Sequence, residues 1–342
     1  MSELRPLDFG EAPRLGSLYG FSVVQRDGQS ILAGSHDQSL EACSWNLSSD
    51  VWTVHELDDP WLDEANYTEL TAFGAVVVDG RIVGGGGGDH QGFALWDLES
   101  GKVRLSAQEG GGVTTSAVVV GGRALFVVGS PAAPGVQVWD ASVVEADEEE
   151  YERAETAGLD KPPSPYASMV DVNELEARSH AASAVAAGAL DGRLVLVANG
   201  ADGGVLVWDV DGQRALVEFD DLDEGLTDFA LVTGDRAHVV AAGGQQLVVG
   251  DPATGEWGEP LAVPGDEISC LAAGLVNGRL VAVTGSEDGT VCAWNLDERW
   301  LLAEPIRGMG EVRAISITEL DGRQVFVSTG RDGVMRVWEF TL

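Results

Sequence analysis

One pattern repeats along the chain: a two-residue turn ending in glycine, then a tryptophan 16 or 17 residues later. The clearest copy is Val312–Phe340, VRAISITELDGRQVFVSTGRDGVMRVWEF. Ile315 and Ile317, Val325 and Val327, and Met335 and Val337 alternate with other residues at period two. They predict three short strands, each with one buried face. Asp321-Gly322 and Asp332-Gly333 separate the strands and supply the positive φ that tight hairpins need. Six further copies align with it. They are Phe21–Asn46 (turn Asp27-Gly28, end Trp45-Asn46), Thr71–Asp97 (Asp79-Gly80, Trp96-Asp97) and Val113–Asp140 (Gly121-Gly122, Trp139-Asp140). Then come Ala181–Asp209 (Asp191-Gly192, Trp208-Asp209), Leu226–Asp251 (Gly234-Asp235, Gly250-Asp251) and Ile268–Asn295 (Asn277-Gly278, Trp294-Asn295). Successive ends lie 51, 43, 69, 42, 44 and 44 residues apart. The two long intervals hold insertions at 56–70 and 141–178.

Trp96-Asp97, Trp139-Asp140 and Trp208-Asp209 each close a β-rich repeat of about 43 residues, and in this the chain resembles the WD-repeat proteins. Ala201-Asp202-Gly203, Glu287-Asp288-Gly289 and Arg331-Asp332-Gly333 resemble the second hairpin of that family. The resemblance covers nearly the whole chain. It implies an all-β, seven-bladed β-propeller over residues 1–342, in which each repeat supplies strands a, b and c of a blade and then strand d. There are departures. The family's Gly-His pair is missing, with only His180 near its place. The buried Ser/His/Asp/Trp hydrogen-bond set is therefore incomplete, and the blades are expected to lean on apolar packing. The fifth unit has lost its tryptophan, and the third carries Pro131–Pro134 at its second turn. The seventh unit ends after strand c. Its fourth strand is expected from Leu4–Leu7, pairing beside Met335–Phe340 and covering edges that would otherwise invite aggregation.

In this topology 56–70, ELDDPWLDEANYTEL, lies on the face of the b–c turns and brings Trp61 and Tyr67 to it. Those rings either pack against blades one and two or form a lip for a ligand or partner. In the second insertion, Glu145–Glu155 holds seven carboxylates against Arg153, and Lys161–Pro165 is proline-rich and cannot be helical. A following strand d at Ser168–Val172 would put this insertion in the c–d link, on the opposite face. It reads either as a mobile acidic loop or as a docking segment for a basic partner.

A net charge of -36 with only two lysines, Lys102 and Lys161, disfavours nucleic acid and anionic membrane as partners. It favours a basic protein or peptide, or simply serves solubility in a salty cytoplasm. Cys43, Cys270 and Cys292 are odd in number and lie in apolar strands, so buried free thiols in a reducing compartment are expected. The first residues carry no apolar export segment, and no apolar run is long enough to span a bilayer. A monomeric cytoplasmic protein is expected.

Chemistry-bearing motifs are sparse. Gly84–Gly88 lacks the Gly-Lys-Ser/Thr and helix of a phosphate loop, so it reads as strand b. His36-Asp37 and Asp89-His90 occupy the b–c turns of adjacent blades and offer zinc-type ligands. Turn aspartates have a backbone-capping job, however, and adjacent turns are spaced beyond single-ion distances, so solvated turn residues are expected and no metal or cofactor is assigned. Arg331, on the b–c rim of blade seven, stands out because basic residues are rare. It suits an anionic group. The candidate rim residues are therefore His36, Trp61, Tyr67, Asp89, His90 and Arg331. The resemblance implies a non-catalytic protein- or peptide-binding scaffold working through the propeller face and channel mouth. The alternative is an enzyme (cyclase, lyase or hydrolase) at that mouth.

Overall fold

The computed structural model describes residues 4–9, 18, 20–35, 40–61, 70–88, 91–107, 114–130, 135–143, 156, 169–170, 172, 175, 182–199, 204–220, 222 and 225–342. They form seven small antiparallel sheets, one per repeat. Blade one is Phe21–Arg26, Gln29–Ser35, Glu41–Asn46 and Val51–Glu56. Blade four is Val185–Leu190, Arg193–Asn199, Val205–Asp209 and Arg214–Phe219. Blades two, three, six and seven follow the same order, starting at Ala72, Thr114, Ile268 and Val312. The a–b turns fall on the glycine pairs for a local reason. Asp27, Asp79, Asp191, Asn277 and Asp321 have φ near +50°, and each is followed by a glycine at 75° to 78°. Asp and Asn tolerate that conformation best among residues with a Cβ, and glycine adopts it freely.

Seven hydrophobic clusters each bridge two adjacent blades, and one of them joins blade one (Leu32, Trp45) to blade seven (Val325, Val327, Val337). The ring is thus closed by packing. The strand-c tryptophan follows one rule: it packs toward the preceding blade. Trp96 lies with blade one residues, Trp139 with blade two, Trp208 with blade three, Trp294 with blade five, Trp338 with blade six and Trp45 with blade seven. Their indole N–H groups meet varied acceptors: Asp50 Oδ1 for Trp45 (3.0 Å), the Asp58 carbonyl for Trp96 (2.9 Å) and Thr284 Oγ1 for Trp294 (3.4 Å). Those of Trp208 and Trp338 are buried without a partner among the described residues. Packing, not a fixed polar set, holds these rings, as the missing Gly-His pair implies. The five-glycine run is strand b of blade two, Arg81–Gly88. A Cβ on Gly84 would lie 2.5 Å from the Phe73 ring, and one on Gly85 2.7 Å from Phe126. The glycines make room for aromatics of this blade and the next.

Leu4–Leu7 completes blade seven as expected, with Leu4 opposite Phe340, Arg5 opposite Glu339, Pro6 opposite Trp338 and Leu7 opposite Val337. Arg5 and Glu339 also form an ion pair. Proline is tolerated in this strand because it is the sheet edge. In blade three the fourth strand is Met169–Val170, paired with Val138 and Trp139. The connection from strand c to strand d of this blade therefore begins at Ala141 and ends before Met169. Blade five departs from the pattern. Its a–b connection runs over 233–237, not through a two-residue Gly234-Asp235 hairpin, and its outer edge is split into Glu256–Trp257 and Leu261–Ala262, both pairing with Gln246–Asp251. Cys43, Cys270 and Cys292 are buried free thiols. No helix among the described residues is long and apolar enough to cross a membrane.

Candidate functional site

Strand a of every blade faces the axis, and together these strands enclose a channel of about 600 Å³. Each strand a enters from a d–a link, so its first residues form the channel mouth on the b–c/d–a face. Hydroxyl side chains are common there, and they are tied to the wall. Thr227 Oγ1 donates to the Ala242 carbonyl at 3.3 Å, and Ser269 Oγ to the carbonyls of Gly285 (3.2 Å) and Val312 (2.6 Å). Further in, side chains of one blade accept backbone N–H groups of the next. Ser22 Oγ takes Ala75 N at 3.0 Å, Ser116 Oγ takes Ala187 N at 3.1 Å, and Asp228 Oδ2 takes Leu271 N at 2.7 Å.

Asp228 does with a carboxylate what the serines do with a hydroxyl. Phe229 N also donates to it, at 2.8 Å. It opens onto the channel but is otherwise enclosed by protein, and this desolvation pushes its pKa up to about 7 against the two N–H bonds that favour the anion. Cys270 lies beside it. Burial first, and the Asp228 charge second, push that thiol well above its ordinary range. A protonated thiol is a poor nucleophile.

Among the described residues, Arg313 is the one basic side chain lining the channel. Its position comes from a break in the ladder. Strand a of blade six slips register between Ile268 and Cys270, and strand a of blade seven between Val312 and Ala314. Each slip is a β-bulge with one extra residue, Ser269 or Arg313, and bulges re-aim side chains in this way. The described a–b ladders of the other five blades run without a shift. Glu311 Oε2 lies 3.2 Å from Arg313 Nη2 and 3.8 Å from Arg331 Nη1.

Of the candidate rim residues, Arg331 stands where expected, in the b–c turn of blade seven, with its side chain 73% exposed. Trp61 takes the packed alternative. It is 6% exposed and meets Trp96 edge-on, ring centroids 6.1 Å apart, in the cluster between blades one and two. Its ring is part of the core and does not stand on the open rim. His36, Tyr67, Asp89 and His90 lie outside the described residues. Sequence reasoning missed Asp228, Ser269 and Arg313. A charge near the start of an apolar strand a was the only signal for Asp228 and Arg313, and bulges have no reliable sequence mark.

The exposed side chains of this face are mostly acidic: Asp58, Asp220, Asp266, Glu267, Glu287 and Glu304 all sit in d–a links or b–c turns. Arginine appears beside them around blade seven, as Arg307, Arg331 and Arg336. Arg336 is held by Asp332 at 2.6 Å. The opposite face uses arginine differently. Arg81, Arg123 and Arg193, each opening a strand b, reach the Asp of the Trp-Asp pair at 2.7, 2.7 and 2.6 Å.

Among family models, the WD domain, G-beta repeat, matches residues 259–295. The match starts before the last edge segment of blade five and ends with strand c of blade six. No curated protein matched the chain. That repeat, set in a closed ring of seven blades built to one plan, supports a WD-repeat β-propeller.

Proposed function

We propose that this protein is a non-catalytic scaffold that binds a basic protein or peptide on its b–c/d–a face, around the channel mouth, and acts as a monomer. WD-repeat propellers typically serve protein interaction. The observation that carries the reading is the run of exposed acids around the channel mouth. The a–b/c–d face is acidic too, with Asp79, Asp191, Asp211 and Asp321 exposed, although the acids of three Trp-Asp pairs there are held by arginines of their own blades. On the b–c/d–a face, acids such as Asp220, Asp266, Glu267 and Glu304 are exposed. Complementary potentials steer encounter and fix register. An enzyme at the channel mouth is less favoured, because Cys270, beside the channel acid Asp228, is shifted away from its reactive thiolate form.

The test is fluorescence anisotropy with two labelled peptides of equal length, one arginine- and lysine-rich and one glutamate-rich, against the wild type and an Asp266→Lys/Glu267→Lys/Glu304→Lys variant. The basic peptide should bind the wild type, weaken with salt, and lose at least tenfold on the variant. Equal binding of both peptides, or binding unchanged by the charge reversal, would refute the reading.

A further inference from the structure

We infer that the corner of the channel mouth formed by Arg313 and Arg331 is a carboxylate-binding site, filled by a peptide C terminus or by a small organic acid. This deepens the reading above and rests on the same face being the one that binds. Three structural observations lead to it.

The first is placement. Arg313 is the extra residue of a bulge, and its bulge is pinned to the matching one in blade six by the Ser269 hydroxyl, which donates to the Val312 carbonyl at 2.6 Å. The guanidinium is therefore aimed from a fixed backbone into a channel wall. The second is the division of labour among arginines. Those opening strand b in blades two, three and four serve their own blade's Trp-Asp pair. Arg313 and Arg331 sit on the other face. They converge on a single carboxylate oxygen, Glu311 Oε2, at 3.2 and 3.8 Å. The third is chemical fit. A guanidinium is a planar fork that matches a carboxylate with two parallel bonds. Glu311 already holds a carboxylate between these two arginines and shows the geometry that a ligand carboxylate would join or displace. Beyond the mouth the channel wall is mostly polar, with Thr115, Ser116 and Ser316 in its lining, and Leu271, Ala272 and Ile315 add apolar surface for a short hydrocarbon. Asp228, two blades away, disfavours a second negative group, so the site takes a monocarboxylate end more readily than a polyanion.

The experiment uses the full chain and a labelled arginine-containing hexapeptide made twice, with a free C-terminal carboxylate and as the C-terminal amide. Succinate monomethyl ester serves as the small-acid probe. The free acid should bind the wild type at least tenfold tighter than the amide. That ratio should fall to near one in Arg313→Gln, and by about threefold in Arg331→Gln. Arg313→Lys, which keeps the charge but loses the fork, should be intermediate, and a thermal melt of each variant separates loss of binding from loss of fold. If neither peptide binds but the monoester raises the melting temperature of the wild type and not of Arg313→Gln, the ligand is a small acid; the site stands and the peptide reading of the face falls. If both peptides bind equally and tightly, the face reading stands and the carboxylate site is overturned. An acid preference that survives in Arg313→Gln, or no response to any of the three probes, also overturns it.

Discussion

Blades four and five are neighbours cut from the same repeat, and they solve one packing problem in two ways. Blade four ends strand c with Trp208-Asp209. The ring is 2% exposed and the carboxylate fully buried. Asp209 accepts Gly212 N at 2.9 Å across the c–d turn and Arg193 at 2.6 Å. Blade five ends strand c with Gly250-Asp251. Trp257, directly opposite Gly250 on strand d, supplies the indole. It stacks on Phe219 of blade four with centroids 4.3 Å apart, in the same blade-to-blade position that strand-c tryptophans fill elsewhere. A Cβ on Gly250 would lie 2.5 Å from the Phe219 ring and 2.8 Å from that of Trp257, so the glycine clears the space the displaced ring needs. The fold therefore demands an aromatic plate against the preceding blade. It does not demand that strand c carry it.

The comparison breaks most readily at Asp209. Asp209→Ala leaves the Gly212 amide and the Arg193 guanidinium without their acceptor in a buried turn. Loss of one partner of a buried pair is costly, but Arg193 is 41% exposed and can turn to water. We expect a loss of about 2–4 kcal/mol, read as a fall in the urea midpoint at unchanged slope. A loss under about 1 kcal/mol would mean that the Asp of the Trp-Asp pair is dispensable here. Next in size is Gly250→Ala. One methyl group against two rings should cost about 1–3 kcal/mol. The cost should shrink in a Trp257→Ala background, where one of the two rings is gone and Phe219 can shift into the vacated space, giving a coupling of about 1 kcal/mol or more. Additive effects in that double-mutant cycle would contradict the account of the displaced ring.

Most of the fold was legible because its determinants are local. Asp27-Gly28 or Asp321-Gly322 specifies a turn from two residues. The fixed interval to the tryptophan then sets two hairpins, and counting them leaves blade seven one strand short, which pointed to Leu4–Leu7. What escaped depends on contacts between distant residues. Nothing near Gly250 in sequence says that Trp257 covers it from across a turn. Nothing near Trp61 says that its ring meets Trp96 between two blades. The channel site escaped for the same reason. Arg313 reads as one more charge in an alternating strand until the ladder slips, and Asp228 reads as a solvated loop acid until the Leu271 amide is placed on it.

Asp228 also separates blade five from its relatives by pH. Its pKa is about 7 in the folded chain against an ordinary 3.8. The folded state therefore binds the proton more tightly than the unfolded state. The stability this contributes is complete below about pH 4 and is lost as pH rises through about 7. Asp228→Ser, which installs the kind of hydroxyl that Ser22 and Ser116 use for the same job, should remove that slope. The wild type minus variant difference should fall by on the order of 1 kcal/mol between pH 4.5 and 8. Taking the difference cancels groups that titrate elsewhere. These include Asp97, where burial would raise the pKa but the Arg81 and Ser100 hydrogen bonds hold it low, so that its contribution is lost only in more acid solution. A flat difference would show that Asp228 ionises freely in the channel wall.

The smallest effect is expected at Asp251, the residue aligned with Asp209. It too accepts a turn amide, Ala253 N at 2.8 Å. But it is exposed, and strand b of blade five opens with His238 where blade four has Arg193, so no guanidinium at that position depends on it. Water can replace its one side-chain bond to the turn. Asp251→Ala should therefore cost about 0.5 kcal/mol or less, against several for its counterpart one blade away. Urea unfolding of the two variants side by side tests this directly. Similar losses would mean that the aspartate stabilises every blade through the turn alone. The expected disparity assigns the larger share to burial and the arginine, so that blade five, having given up its strand-c tryptophan, has also released the aspartate that goes with it.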